Sequence, residues 1–193
     1  DGISDGEIPI KLCLTVDDAS IEVDFTGTAA QVAGNVNAPR SVTNSAVYFA
    51  VRAVTDPDIP PNHGCYEPVS VTVPGRSLLD PEPPAAVVGG NVETSQRVAD
   101  TVLSAFAELV PDRLPAQSQG TMNNLTIGSR DGDSYSYYET IGGGFGARPT
   151  KDGMDGVQVG MTNTLNTPIE ALEAEYPLRV TRYGLRPDSG GRG

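Results

Sequence analysis

The sequence has only two cysteines in 193 residues, Cys13 and Cys65. It contains no C-x-x-C and no other metal-ligand spacing, which excludes a zinc ribbon or a dithiol redox centre built from them. Cys13 falls in the apolar run IPIKLCLTV, a context that predicts a buried, inert thiol. Such sparse cysteine use reads as a reduced, cytoplasmic protein. There is one histidine, His63, inside the loop DPDIPPNHG. A metal site built on several histidines is therefore excluded within this stretch, and a Ser-His-Asp triad would hang on that single residue. No segment approaches the ~20 apolar residues of a membrane helix, and no secretory leader is recognisable. Lysine is scarce too: Lys11 and Lys151 are the only two among 13 basic residues.

Acids, by contrast, are plentiful. Asp and Glu number 25, the formal net charge is −12 and the isoelectric point is about 4.3. A polyanion is a poor partner for nucleic acid or an anionic membrane, so neither is expected. The acids are spread along the chain, and an acid-rich, lysine-poor surface suits a salt-rich medium that screens self-repulsion. The chain opens on DGISDGE and closes on DSGGRG, and the expectation is a single region of a longer polypeptide, cut at both ends.

Hydrophobic periodicity predicts a mixed fold. Residues 8–16 and 20–25 alternate and read as a β-hairpin turning at Asp17-Asp18. Val42, Ala46, Phe49, Ala50 and Ala53 recur at helical spacing, with Ser41 or Thr43 as cap. Residues 68–73 form a short strand stopped by Pro74-Gly75. The segment LLDPEPPAAVV leads into a buried strand ended by GGN. A helix then starts at Glu93 or Thr94, buries Val98, Val102, Phe106, Leu109 and Val110, and stops at Pro111. Strands over 120–128 and 134–141 meet at the turn 130–133. A further strand over 155–162, a short helix in PIEALEAEYP and a closing strand LRVTRYGL complete the order. Hairpin, helix, strands, helix and meander in that sequence point to an α+β fold with mixed sheets and two or three helices.

Three polar clusters can carry chemistry. Gly89–Ser95 (GGNVETS) offers Asn91, Glu93 and Thr94 at a strand-to-helix junction, where free backbone amides can hold an anion or merely be capped. Gly120–Asn124 offers Asn123 and Asn124, whose amides can bond a planar ligand or a turn. The loop GGGFGARPTKDG contains Gly142, Gly143, Gly144, Arg148 and Asp152. It lacks the third glycine of a dinucleotide loop, because residue 149 is proline, and it lacks the P-loop G-K-[ST]. The glycines allow close backbone approach, to a ligand or to the chain itself. Arg148 and Lys151 can bind an anion or simply be solvated.

Eight segments, taken in order, resemble one family. They are VDFTGT (23–28), NVNAPR (35–40), DPDIPPNHG (56–64), PPAAVVGGNVETSQRVAD (83–100), QGTMNN (119–124), GGGFGARPTKDG (142–153), PIEALEAEYPLRV (168–180) and YGLRPDSGGRG (183–193). Together they resemble the B subunit of the hydantoinase and oxoprolinase group. The resemblance implies part of an ATP-dependent cyclic-amide hydrolase acting on hydantoin, N-methylhydantoin or oxoproline. It further implies a partner A subunit of actin-like ATPase fold, ATP bound there, a divalent metal in the whole enzyme, and hetero- and homo-oligomeric assembly. The family's metal-binding His and Asp residues are expected earlier in the polypeptide, so no metal ligand and no catalytic residue is assigned to this stretch, which alone is not expected to be active. Asn91, Glu93, Thr94, Asn123, Asn124, Gly142, Gly143, Gly144, Arg148 and Asp152 are the substrate or interface candidates. Two alternatives stay open: a non-catalytic scaffold that meets other subunits, and acetone-carboxylase-like chemistry.

Overall fold

The computed structural model describes residues 3, 6–130 and 134–188. It divides into two compact units, Asp1–Leu114 and Pro115–Gly193.

Unit 1 is built on a three-stranded sheet in the order β1-β2-β3. Strands β1 (Cys13–Asp17) and β2 (Ser20–Asp24) form the expected hairpin, pairing Leu14 with Val23 and Val16 with Ile21. Its two-residue loop is Asp18-Ala19, with Asp18 at a positive φ of 34°. Strand β3 (Val69–Thr72) lies parallel to β2, Ile21 opposite Val69. Parallel neighbours need a crossover, and helix α1 (Arg40–Val54) lies within it. Cys13 is exposed, contrary to expectation. The apolar run that suggested burial lies on the outer strand of the sheet, where only Leu14 is even half-buried.

Helix α1 buries Ala46, Val47 and Ala50 completely, on a stripe turned from the expected one: Thr43, Val51 and Val54 are buried, whereas Val42 and Phe49 are half-buried and Ala53 is exposed. Neither Ser41 nor Thr43 caps it. The helix starts at Arg40 after Pro39, whose backbone is extended (ψ 148°) and which makes no side-chain cap. Thr43 is instead fully buried and donates to the Leu79 carbonyl at 2.9 Å. Each fully buried valine or phenylalanine here, Val23, Phe25, Val47, Val98 and Val102, stabilises the unit by about 1.5–3 kcal/mol.

The expected strand before residue 89 is absent. Prolines 81, 83 and 84 remove ladder donors, and Val88 is 76% exposed. Helical turns begin at residue 88, and Gly90–Thr94 forms a π-helical turn in which the Ser95 amide bonds the Gly90 carbonyl. This runs directly into helix α2 (Ser95–Ala107), so Thr94 is no cap: its own backbone is helical and its side chain caps nothing. Helix α2 ends four residues before Pro111, with the Leu109 and Val110 amides both turning back to the Phe106 carbonyl. Leu109 therefore leaves the expected buried face and is 57% exposed.

Unit 2 is leaner. Strands β4 (Asn123–Gly128) and β5 (Ser136–Ile141) pair antiparallel, Leu125 opposite Glu139. The expected turn reaches into 131–133, outside the described residues. Strands β6 (Gly144–Phe145) and β7 (Met154–Asp155) make a second, minimal ladder. The strand expected over 155–162 goes no further than this, because Gly156 and Gly160 adopt positive φ of 65° and 55° and turn the chain away. Helix α3 (Ile169–Glu175) forms between its prolines as expected. Residues 178–185 form no strand. The Leu178 amide closes a turn onto the Tyr176 carbonyl, and the Val180 amide bonds the Glu173 carboxylate at 2.8 Å, so side-chain chemistry takes the place of a ladder. Among the described residues of this unit the buried apolar ones are Tyr137, Val159 and Leu172, with Tyr176 edge-on to Tyr137 at 5.1 Å.

The architecture is α+β, with three α-helices and small mixed sheets among the described residues. No helix there is long and apolar enough to cross a membrane.

Candidate functional site

The sequence candidates fall in both units. In unit 1, Asn91, Glu93 and Thr94 lie on the π-helical turn. That turn is held against the loop at residues 35–38 by two glycines. A Cβ on Gly89 would meet the Asn35 side chain at 2.9 Å. One on Gly90 would stand 1.9 Å from the Asn37 carbonyl oxygen. Asn37 is itself fully buried and organises the loop. Its Oδ1 accepts from the Val32 amide, and its Nδ2 donates to the carbonyls of Val32, Gly34 and Ala86 at 2.9–3.0 Å. Thr94 joins this packing, its buried hydroxyl donating to the Val36 carbonyl. Thr94 is thereby an internal tie. Asn91 is exposed, and its carbonyl accepts from Ser95 Oγ at 2.8 Å. Glu93 is half-buried. Unit 1 also holds an open cavity of about 500 Å³, walled by Pro39, Pro81, Pro83, Pro84 and residues 85–87. Those side chains offer shape but no donor.

In unit 2 the structure brings Asn123, Asn124 and the glycine loop together, but not as a paired amide site. Consecutive strand residues face opposite ways. Asn123 Nδ2 donates to Gln119 Oε1 (2.9 Å) and to the Ile141 carbonyl (3.1 Å), bracing the glycine loop. Asn124 Oδ1 accepts from the hydroxyls of Tyr138 (2.7 Å) and Thr140 (2.8 Å) on the other face.

The loop glycines are taken up by internal packing. A Cβ on Gly142 would lie 2.6 Å from the Val157 backbone, and one on Gly143 would overlap the Gln119 side chain. At Gly146 it would lie 2.0 Å from the Ala116 carbonyl oxygen, and at Gly153 2.4 Å from that of Phe145. Gly144 adds a positive φ of 130°. These contacts fold the loop onto its own unit. Arg148 and Lys151 close the far turn through two backbone hydrogen bonds, at 2.8 and 3.2 Å. Asp152 follows, exposed.

Sequence reasoning missed a carboxylate clamp. Glu139 Oε2 accepts from the Tyr137 hydroxyl at 2.7 Å, and Oε1 accepts from the Thr167 amide at 2.7 Å, joining β5 to the chain that enters α3. Burial, assisted by this carboxylate, holds the Tyr137 phenol above its ordinary pKa. It also missed a polar chain in which Gln158 Nε2 donates to the Thr140 carbonyl at 2.5 Å and Asn166 Nδ2 to the Tyr183 hydroxyl at 2.5 Å. The Tyr137–Glu139 bond is local, two residues apart on β5, but the other partners lie 28, 18 and 17 residues apart and leave no local signal. The divalent metal implied by the resemblance finds no donor set here: among the described residues no three His, Cys, Asp or Glu side chains converge.

The chain matches the family described as hydantoinase B/oxoprolinase over residues 1–193. It is 50% identical to 5-oxoprolinase 1 of Arabidopsis thaliana over 194 aligned positions, which span all of this chain and 15% of that protein. It is 32% identical to the putative B subunit of a D-/L-hydantoinase from a Pseudomonas species, covering all of this chain and 35% of the relative. The crystal structure of an ATP-dependent caprolactamase from Pseudomonas jessenii superimposes with a TM-score of 0.82 at 27% identity, over 97% of this chain and 34% of that one. The chain thus spans about a third or less of the length of each protein it is compared with. With the eight segments read from its sequence and a family match along its whole length, this chain belongs to the hydantoinase B/oxoprolinase family.

Proposed function

We propose that the chain is part of the B subunit of an ATP-dependent cyclic-amide hydrolase, working with an A-type ATPase subunit. The observation that carries this reading is the full-length family match, supported by likeness to a 5-oxoprolinase and to an ATP-dependent caprolactamase. The chemistry explains why ATP is needed. Resonance protects a ring amide from water. Transfer of the γ-phosphoryl group to the carbonyl oxygen releases ADP, breaks that resonance and leaves an electrophilic carbon. Water adds there, the ring C–N bond breaks as nitrogen takes a proton, and a second water hydrolyses the acyl phosphate to carboxylate and phosphate. In this proposal ATP sits in the partner, and the divalent metal is held by residues outside this chain. The residues of unit 2 contribute hydrogen-bonding amides and hydroxyls and a basic turn.

The test is ATP turnover by the complete polypeptide with its A-type partner, using hydantoin, N-methylhydantoin, 5-oxoproline and caprolactam. Ring-dependent release of ADP with stoichiometric ring opening supports the proposal. No turnover with any cyclic amide would sink it. The close packing of Gly142, Gly143, Gly146 and Gly153 favours a second reading for the loop alone, as scaffold. Substitutions there that abolish assembly, rather than turnover within an intact assembly, would establish it.

A further inference from the structure

Among the described residues of unit 2, Arg148 is the one cationic side chain with a buried donor left unanswered. Its Nε is buried with no hydrogen-bond acceptor, and no described carboxylate pairs with it. A buried donor left unpaired costs about 1–3 kcal/mol, more when charged. The surroundings hold it in place. On one side the Ala116 amide bonds the Ala147 carbonyl at 2.7 Å and Gly146 packs on Ala116. On the other, Gly153 packs on Phe145. Between them the two hydrogen bonds joining Arg148 and Lys151 fix a tight turn with a cation at each end. Charge is also distributed unevenly along the sequence. Residues 115–193 hold seven of the 13 basic residues and nine of the 25 acids, a net of −2, which leaves −10 for residues 1–114.

We propose that Arg148, with Lys151, forms an oxyanion site that takes the phosphoryl group of the activated substrate. A guanidinium presents its two terminal Nη groups as a fork that matches two oxygens of one phosphate, and a lysine adds a point charge for the remaining negative charge. Arg148 and Lys151 stand opposite each other across an isolated antiparallel bridge, and no described carboxylate pairs with either, so a bound anion would meet two uncompensated charges. The inference deepens the cyclic-amide reading and rests on it for the identity of the phosphate carrier. Phosphate binding itself does not depend on that reading.

The experiment has two arms, both on the complete polypeptide. The first titrates inorganic phosphate, and acetate as a control, into wild type, R148Q, R148K and K151Q by calorimetry. Phosphate should bind wild type, acetate should bind far more weakly, and R148Q should lose about tenfold or more in phosphate affinity. R148K should lose less than R148Q. It guards against a misfolded R148Q, whose melting temperature without phosphate should match wild type or exceed it. No phosphate binding by wild type, equal binding of acetate, or unchanged binding by R148Q and R148K each overturns the site. The second arm adds the A-type partner and measures ATP consumed per ring opened. R148Q should raise that ratio. A normal ratio at a normal rate overturns the assigned role and leaves the hydrolase reading standing. If wild type opens no ring while phosphate binding still depends on Arg148, the hydrolase reading fails and the anion site stands.

Discussion

The carbonyl oxygen of Asn37 occupies the space that a side chain on Gly90 would need, 1.9 Å from where its Cβ would stand. A contact that short with backbone cannot be relieved by a rotamer change. Gly90→Ala should therefore destabilise unit 1 by about 3 kcal/mol or more, through displacement of the π-helical turn from the Asn37 loop. Gly75→Ala, where nothing lies within 4 Å, should change the melting temperature little. Paired thermal melts of the two variants check this, and equal stabilities would contradict it.

Gly146 bears the same relation to Ala116 in unit 2, at 2.0 Å. Gly146→Ala should loosen the glycine loop and expose residues 142–153 to protease. Gly128→Ala should leave the cleavage pattern unchanged, because its nearest neighbour is 3.9 Å away. Limited proteolysis with mass readout distinguishes the two.

The Tyr137 phenol is 3% exposed, and its pKa is raised chiefly by burial. Below about pH 10 the phenol is neutral in the folded and unfolded chain alike. Above it the unfolded chain ionises first, so stability falls as pH rises. Tyr137→Phe should flatten this alkaline loss in melts taken between about pH 9 and 11. It should cost about 1 kcal/mol at neutral pH for the lost bond to Glu139.

Asp24 should shape the acid limb. Its Oδ1 accepts from the Thr26 hydroxyl at 2.6 Å and from the Thr26 amide at 2.9 Å, and these bonds hold its pKa below the ordinary value. The contribution is present above the unfolded carboxyl's pKa and is lost as pH falls through the depressed folded one. Asp24→Asn should make stability less steep across that window. An acid limb as steep as wild type's would show that the Thr26 bonds do not matter.

Long periodic elements were legible in the sequence. Val98, Val102 and Phe106 marked α2, Ala46 and Ala50 marked α1, and alternation marked the β1–β2 hairpin. Short apolar runs misled. AVV before Gly89 read as a buried strand, yet three prolines upstream deny it a ladder and Val88 faces solvent. IPIKLCLTV read as core because composition does not tell an edge strand from a central one. The π-helical turn has no pattern of its own, since it arises from Gly89 and Gly90 settling on a distant loop. The candidate site was legible as residues but not as geometry. Asn123 and Asn124 are neighbours in sequence that face opposite ways, and the orphaned Nε of Arg148 depends on what surrounds it in space.

The two neighbours of β2 come from very different distances along the chain. Strand β1 is reached through a two-residue loop, whereas Val69 of β3 comes 48 residues after its partner Ile21. A hairpin of the first kind closes in about 1–10 μs. The second pairing must first meet the entropy of closing a long loop, which forming α1 shortens. On a ribosome the β1–β2 hairpin would emerge complete with one edge of β2 still bare, and it would stay bare until α1 and the proline-rich loop had followed it out. Synthesis rate over residues 25–72 then sets how long that edge is open to a wrong partner.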